Sequence, residues 1–514
     1  MTSAAQNGTT HSSVSGVAGT AVTTMFQGFN TFTGAACGSV LNGATGSLGA
    51  QQRCDYKVCY SYDDLRSALE MSAAVGVDFV EGSVDVKTNF LRTLNLTTNS
   101  VVIAVYANRI TSSVSANDVR LQPRHPSDLN AFFQAFGDSY VSQLVTGAEY
   151  IALYVFYAQS QSEQMSIGGQ LQGKQITDGG ALTENIQTAL SSLSEFIDCR
   201  QTFSQMITGF SSLALPDPSN IVTFATQTFA TATPDLPAVI SYATSGYEDV
   251  PGIIAFSPVV ATRNLFLGYT GQQGLSDQLA ALSLLNNQTV LLKQCYSTYG
   301  YTGDVELQKK AGQIQIDLTS IGSLIQKILA DPTQTYSSQS YASLGYGTPQ
   351  LNVELSRPVV WGGDGGATAY ADVTPASVYQ ETRLTALQVH GGAYVDNLIT
   401  TYEAAGSAPV TIEHGGGGGS PGVPYSFDVD EFITGVNGWY GGYVNQLGFT
   451  TTKGSIAPFP PTPKSAPNAI SWTVPSGWVF LGFQGHYGSY LDQCIPVICQ
   501  FGPAIWSDTP EQGA

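Results

Sequence analysis

The eight residues Gly485-His486-Tyr487-Gly488-Ser489-Tyr490-Leu491-Asp492 decide how the C-terminal third of this chain folds, because they recur. Two earlier copies centre on Gly438-Trp439-Tyr440-Gly441-Gly442-Tyr443-Val444-Asn445 and His390-Gly391-Gly392-Ala393-Tyr394-Val395-Asp396. In each, a strand-like run reaches a glycine turn and returns as a second run. A spacing of about fifty residues predicts a threefold pseudo-repeat of four-stranded sheets. Working outward, the Tyr-, Ser- and Gly-rich stretch from Tyr336 to Thr348 marks a change of texture and sets the start of this domain at residue 346. The expected division is a flexible segment over 1–25, one domain over 26–345 and an all-β domain over 346–514.

Further motifs surround the repeats. Trp361-Gly362-Gly363-Asp364-Gly365-Gly366 opens the domain, a glycine run extends from His414 to Gly419, and Gly392-x-x-x-Asp396 and Gly488-x-x-x-Asp492 close two of the units. Together they closely resemble the jacalin-related lectins, whose domain is a β-prism of three sheets. The resemblance implies sugar sites between a glycine-rich loop and a Gly-x-x-x-Asp loop, where the carboxylate accepts from two ring hydroxyls and backbone amides donate. Carried over, one site joins Gly366 to Ser489, Tyr490, Leu491 and Asp492, and the other joins Gly419 to Ala393, Tyr394, Val395 and Asp396. Tyr394 and Tyr490 are expected to stack on a sugar face, and both aspartates to lie on exposed loop tips. The middle unit ends in Asn445 and lacks the carboxylate.

In the N-terminal two-thirds, Ser127 precedes Leu129, Phe132, Phe133, Phe136, Tyr140 and Leu144, which predicts a capped amphipathic helix. Gly147 to Tyr157 and Val101 to Ile110 read as central strands, apolar or aromatic on both faces, and Arg200 to Gly209 as a fourth strand. The linking residues Phe136, Gly137, Asp138, Ser139 and Tyr140, followed after six residues by Gly147 and Ala148, resemble the signature of the membrane attack complex/perforin (MACPF) family. The implied fold is α+β: a bent, twisted four-stranded antiparallel sheet with flanking helical clusters, followed by the prism. Glycine at 147 suits a bend in that sheet. Helices containing Leu275, Leu279 and Leu282, and Ile314, Leu318, Ile321, Ile325 and Ile328, are assigned to the flank of the sheet.

The MACPF resemblance also implies two segments that are helical in the soluble protein and re-form as membrane β-hairpins. The first offers Val75, Val77 and Phe79, a tip at Glu81-Gly82-Ser83, and Val84, Val86, Phe90, Leu94 and Leu96 on even positions, the period of a transmembrane strand. The second offers Met165, Ile167, Gly169, Leu171 and Gly173 alternating with Ser166, Gly168, Gln170, Gln172 and Lys174. It turns at Asp178-Gly179-Gly180 and returns through Leu182, Ile186 and Leu190, residues that also fit a helix.

Composition bounds the partners. A net charge of -19, from 19 Lys and Arg against 38 Asp and Glu, disfavours nucleic acid and strongly anionic membranes. No window approaches eighteen consecutive apolar residues, so any insertion is conditional on a target. Met1 to Gly19 lacks a Sec-type leader, and the expectation is a protein secreted or released by another route. Seven cysteines leave at least one unpaired; Cys54 with Cys59 and Cys494 with Cys499 are local pairs, or all are buried thiols. Metal spacing is lacking, and no metal or cofactor is expected. Gly168 to Gln175 misses the hydroxyl of a phosphate loop, Gly418 to Gly422 carries a proline unsuited to a nucleophile elbow, and five histidines leave little for acid/base work, so no enzyme is expected. The two resemblances together imply a soluble monomer that binds surface glycan, forms a homo-oligomeric ring on the target membrane and inserts two hairpins per subunit. They are similar to bacterial MACPF toxins with a C-terminal prism, several of them insecticidal. A non-lytic MACPF and lectin protein of adhesion or immunity is the competing expectation.

Overall fold

The structure, a computed structural model, describes residues 10–15, 22, 24–49, 51–71, 86–177, 180–193, 199–253, 255–269 and 272–507. It is mixed α/β with an all-β C-terminal region. The N-terminal part is organised by two long antiparallel strands, β6 (Ser100–Leu121) and β7 (Ser139–Tyr157), paired from Ser100 opposite Tyr157 to Ser115 opposite Gln143. Twenty-two residues span roughly 70 Å at about 3.3 Å each, long enough for two sets of neighbours. At one end β5 (Gln52–Cys59) pairs with β6 and β8 (Arg200–Thr208) with β7. At the other, β4 (Leu41–Leu48) takes β6 and β9 (Ala238–Gly246) takes β7. The exchange falls at Gly147, opposite a register slip between Ile110 and Ser112, where a Cβ would collide with the Arg109 carbonyl. Strands β2 (Gln27–Asn30) and β3 (Ala35–Ser39) pair with each other, and β2 reaches β7 at Tyr140. Within the stretch expected to be flexible, β1 (Thr10–Ser15) runs parallel to β8.

The helix expected from Ser127 to Leu144 is shorter. Helix α3 (Leu129–Phe136) is capped by Asp128, whose side chain accepts from the Ala131 amide, and it stops at Gly137. Tyr140 and Leu144 belong to β7. The series 132, 136, 140, 144 satisfies both the helical spacing and the strand period of two, and the backbone takes each in turn. The strand accordingly begins at Ser139, ahead of Gly147.

Both faces of the central strands are buried because each carries a helical insertion. Between β5 and β6, α1 (Tyr62–Ala68), α2 (Val86–Arg92) and the turn after it pack Leu65, Phe90, Leu91, Leu94 and Leu96 against Val102, Ala104, Ile151, Leu153 and Val155. Between β7 and β8, α4 (Gln161–Gly173) and α5 (Glu184–Ser191) pack Ile167, Leu171, Ile186 and Leu190 against Val101, Ile103, Val105, Ala152 and Phe156. Ser160 and Thr183 cap the latter two helices through the Glu163 and Ile186 amides. The alternation from Val86 to Leu96 and from Met165 to Leu171 therefore makes no strand here: Val86–Arg92 and Gln161–Gly173 are helical. Val75, Val77, Phe79, Val84 and the expected tip at 81–83 lie outside the described residues, as do Asp178 and Gly179. Lys87 ties α2 to the sheet: its Nζ lies 2.7 Å from Glu149 Oε2, with 6% and 3% of the two side chains exposed, and donates to the Leu69 carbonyl at 3.0 Å.

The helix Leu275–Thr298 joins the two parts. Leu275, Leu279 and Leu282 pack with Phe32, Phe132 and Phe133, whereas Leu292, Cys295 and Tyr296 enter the C-terminal core. The helix Val305–Ala330 does likewise through Ile321, Ile325 and Ile328 at one end and Leu307 at the other, so these helices serve the C-terminal part as well as the sheet they were expected to flank.

That C-terminal part is three sheets around one core. Strands 433–440, 444–451, 455–459 and 468–473 form one; 383–391, 395–403 and 410–415 with two short pairs form another; 478–487 and 491–501 pair with the opening strands 353–356, 361–362 and 368–371 to form the third. Val395, Leu398, Val444, Leu447, Phe449, Phe483 and Leu491 fill the centre. Each sheet keeps the expected four strand positions, and in two of them one strand is broken into short pieces: 420–421 and 425–426 both pair with 383–391, and 353–356 and 361–362 both pair with 491–501. All seven cysteines are free. Cys54 and Cys59 share β5, and Cys494 and Cys499 share the strand 491–501; five residues along a strand are about 16 Å, far beyond disulfide reach.

Candidate functional site

Each repeat builds its turn in the same way. The register slips between His390 and Gly391, Trp439 and Tyr440, and His486 and Tyr487. The amides of Gly392, Gly441 and Gly488 then donate to the carbonyls of Tyr394, Tyr443 and Tyr490 at 3.0, 2.9 and 3.0 Å. This sets Asp396, Asn445 and Asp492 second in the returning strand.

A separate glycine segment closes over each aspartate. The Gly416 amide donates to the Asp396 carbonyl and the Gly363 amide to the Asp492 carbonyl, both at 3.0 Å. A Cβ on Gly418 would stand 2.5 Å from Asp396 Oδ1, and one on Gly419 2.6 Å from Oδ2; on Gly365 and Gly366 the corresponding distances to Asp492 Oδ1 and Oδ2 are 2.6 and 2.9 Å. Gly419 and Gly366 sit at φ +75° and +81°, where a side chain would also be strained. The two cradles are congruent although one glycine segment precedes the domain's first full sheet and the other falls between repeats. Asp396 and Asp492 are only 7% and 6% exposed, so they are not on open loop tips. The covering segment, remote in sequence, encloses them. Burial raises the Asp396 carboxyl above its ordinary range, opposed by the Gly392 amide and the charge of His390. Chemically, each cradle is an acceptor pair walled by main chain, suited to a neutral ligand offering adjacent hydroxyls.

Of the residues expected around these aspartates, Ala393 and Ser489 are exposed at the turns. Val395 and Leu491 bury their side chains in the prism core, leaving only backbone to a ligand. Tyr394 and Tyr490 face each other, ring centroids 5.1 Å apart. Sequence reasoning missed Tyr443 of the middle repeat, whose ring lies 5.0 Å from that of Tyr394 and 5.5 Å from that of Tyr490. It also missed Lys464, whose Nζ donates to the Tyr394 hydroxyl at 2.8 Å. The middle repeat holds no cradle: Asn445 Nδ2 donates to the Lys464 carbonyl at 2.9 Å, and Pro467 stands over Gly441.

Residues 359–494 match the jacalin-like lectin domain family. This segment is a jacalin-like lectin domain. Similar solved structures include the Malaysian banana lectin, 22% identical at a TM-score of 0.24 over 28% of this chain and 98% of its own. A mannose-binding jacalin-related lectin from Ananas comosus is 23% identical at a TM-score of 0.24 over 29% and 99%. The Calystegia sepium agglutinin is 23% identical at a TM-score of 0.23 over 29% and 97%. No curated protein matches the chain.

The residues expected from the sequence to form a MACPF signature lie apart from the jacalin-like cradles. Phe136 ends α3, Gly137 turns the chain, and Asp138 is fully buried, accepting from the Thr31 amide at 2.7 Å with Arg263 3.6 Å from its other oxygen. Burial raises the Asp138 carboxyl. Ser139 Oγ lies 3.1 Å from Thr31 Oγ1, Tyr140 enters β7, and Ala148 is buried beside Gly147. The arrangement is a joint holding β2 on the α3–β7 turn. Among the described residues no His, Cys, Asp and Glu cluster has metal-holding geometry, and no helix is long and apolar enough to cross a membrane.

Proposed function

We propose that this protein is a MACPF-type pore former, without enzymatic activity, delivered to target cells when its jacalin-like domain grips neutral surface glycan through Asp396 and Asp492. Released as a soluble monomer, it gathers into a ring and converts residues 60–99 and 158–199 into two membrane hairpins. An insect gut target and a bacterial source are implied only by the resemblance of this domain pairing to known toxins.

The observation that carries this reading is where the two insertions leave the sheet. Cys59 stands opposite Val102, Ser100 opposite Tyr157, and Tyr157 opposite Arg200. All four strands thus hand over to an insertion at one end of the sheet, in existing register, and unrolled insertions would lengthen the same strands. Each insertion holds roughly 40 residues, enough for two strands of the nine to eleven residues that cross a bilayer. Met165 is 71% exposed on α4, an apolar side chain with no packing role in the monomer and a lipid-facing place in a hairpin. A non-lytic binding protein is favoured instead by the buried Lys87–Glu149 pair, which holds the first insertion down. Electron microscopy of the protein on glycan-bearing vesicles tests the proposal: rings are expected, and monomers scattered at saturating density would count against it.

A further inference from the structure

We propose that Tyr394, Tyr443 and Tyr490 form an aromatic subsite between the two cradles, so that the domain takes one branched neutral oligosaccharide across both rather than two separate monosaccharides. The proposal rests on the sugar-binding reading above and deepens it.

The three tyrosines come from the three repeats, each two residues before Asp396, Asn445 or Asp492. Their rings close a triangle with sides of 5.0, 5.1 and 5.5 Å and tilts of 59°, 54° and 68°. The middle repeat has no carboxylate and no open cradle, yet it presents Tyr443 beside its two counterparts with 37% of the residue exposed. Exposed tyrosine offers a large rigid face at low entropic cost, the property that makes it a frequent anchor at binding surfaces. Lys464 steadies the triangle by its bond to the Tyr394 hydroxyl and lies 5.3 Å from that ring's centre.

The cradles and the triangle are continuous. A side chain on Gly416 would begin 2.7 Å from the Ser489 carbonyl, so the segment over Asp396 touches the turn before Asp492; one on Gly363 would begin 2.9 Å from the Gly442 carbonyl, so the segment over Asp492 touches the middle turn. Two residues of strand separate each outer tyrosine from its aspartate, about 7 Å. With the 5.1 Å between the rings, the carboxylates lie within roughly 20 Å of each other. A branched oligosaccharide can present one terminal hexose to each carboxylate while the sugar at the branch lays its C–H face on Tyr443, whose ring face is electron-rich. The second terminal sugar then binds intramolecularly, at an effective concentration in the millimolar range. For single-site dissociation constants near 1 mM this gives a gain of up to about tenfold, and the contact with Tyr443 adds to it.

Titration calorimetry of the full chain tests this, first with the methyl α-glycosides of mannose, glucose and galactose, then with a biantennary oligosaccharide ending in the sugar that binds. Two methyl glycosides per chain are expected, but one biantennary ligand, bound at least tenfold more tightly. Tyr443→Ala should leave the methyl glycoside unchanged in affinity and number, which also shows the cradles intact, and weaken the biantennary ligand at least fivefold; Tyr443→Phe should restore it. A biantennary ligand bound two per chain at the affinity of the methyl glycoside, or unaffected by Tyr443→Ala, overturns the subsite and leaves sugar binding standing. No binding of any probe overturns the sugar reading, and the subsite with it.

Discussion

Replacing Gly173 by Arg separates the soluble role of α4 from its proposed membrane role. In the monomer Gly173 is exposed at the end of the helix, and a Cβ there meets nothing within 4 Å. Arginine is also the better helix former, by up to about 1 kcal/mol, so the monomer should be unharmed or slightly more stable. In the proposed hairpin Gly173 shares the lipid face with Met165, Ile167 and Leu171, and Gln172, equally exposed in the monomer, faces the lumen. The expected turn at Gly179 is six residues on, roughly 20 Å of strand at ~3.3 Å per residue. A tilt near 45° makes this about 14 Å of depth, close to the middle of a 30 Å hydrocarbon core. There an arginine on the lipid side costs roughly 2–4 kcal/mol, repeated in every subunit of a ring. Gly173→Arg should therefore melt like the parent, bind target vesicles and release no trapped dye, whereas Gln172→Arg should release dye and shift ion selectivity. Phe90→Arg is the poorer test, because Phe90 is buried against the sheet. Equal dye release by Gly173→Arg and Gln172→Arg would refute the assignment of residues 158–199 to a hairpin.

Three further outcomes follow from particular contacts. Lys87→Met removes the cation facing the buried Glu149 carboxylate and should destabilise the N-terminal part by about 3–5 kcal/mol, near 10 °C of melting temperature; Lys87→Met with Glu149→Leu should recover most of it, and a parental melt for the single variant would mean the pair contributes nothing. Gly419→Ala puts a methyl into the Asp396 cradle at a strained φ, so calorimetry should count one monosaccharide per chain instead of two, at a stability cost of about 1–2 kcal/mol; two bound sugars would contradict the cradle. Because burial raises the Asp396 carboxyl and only the ionised form offers both oxygens as acceptors, the one sugar site left in an Asp492→Ala variant should bind at neutral pH and be lost on acidification with a midpoint above the ordinary aspartate value of about 4. A midpoint at or below 4 would show that the enclosure does not act on this group.

What the sequence made legible was local. The three turn units, the two Gly-x-x-x-Asp aspartates and the glycine segments announce themselves because turn chemistry demands particular residues at fixed offsets, and Gly147 because a bulge excludes a side chain. The missed features arise from chain closure. Asp396 and Asp492 read as exposed because the segments that cover them come from elsewhere in the domain. Tyr443 looked idle because its partners lie in other repeats, and it meets them only when the three sheets close around one core. Lys87 and Glu149 sit in different elements and pair only when α2 lies down on β7. The end of α3 is not legible because 132, 136, 140 and 144 serve a helix and a strand equally well, and only the turn at Gly137 decides between them.

The central claim, glycan-directed perforation, is tested most directly by release of a trapped dye from uncharged vesicles with and without the bound sugar on their lipids. The intact protein should release dye only from sugar-bearing vesicles, free sugar should suppress that release, and the Asp396→Ala, Asp492→Ala double variant should be inactive while still folded. Saturating, sugar-dependent attachment of the intact protein to these vesicles with the dye retained would contradict pore formation and leave a lectin that binds without breaching the membrane.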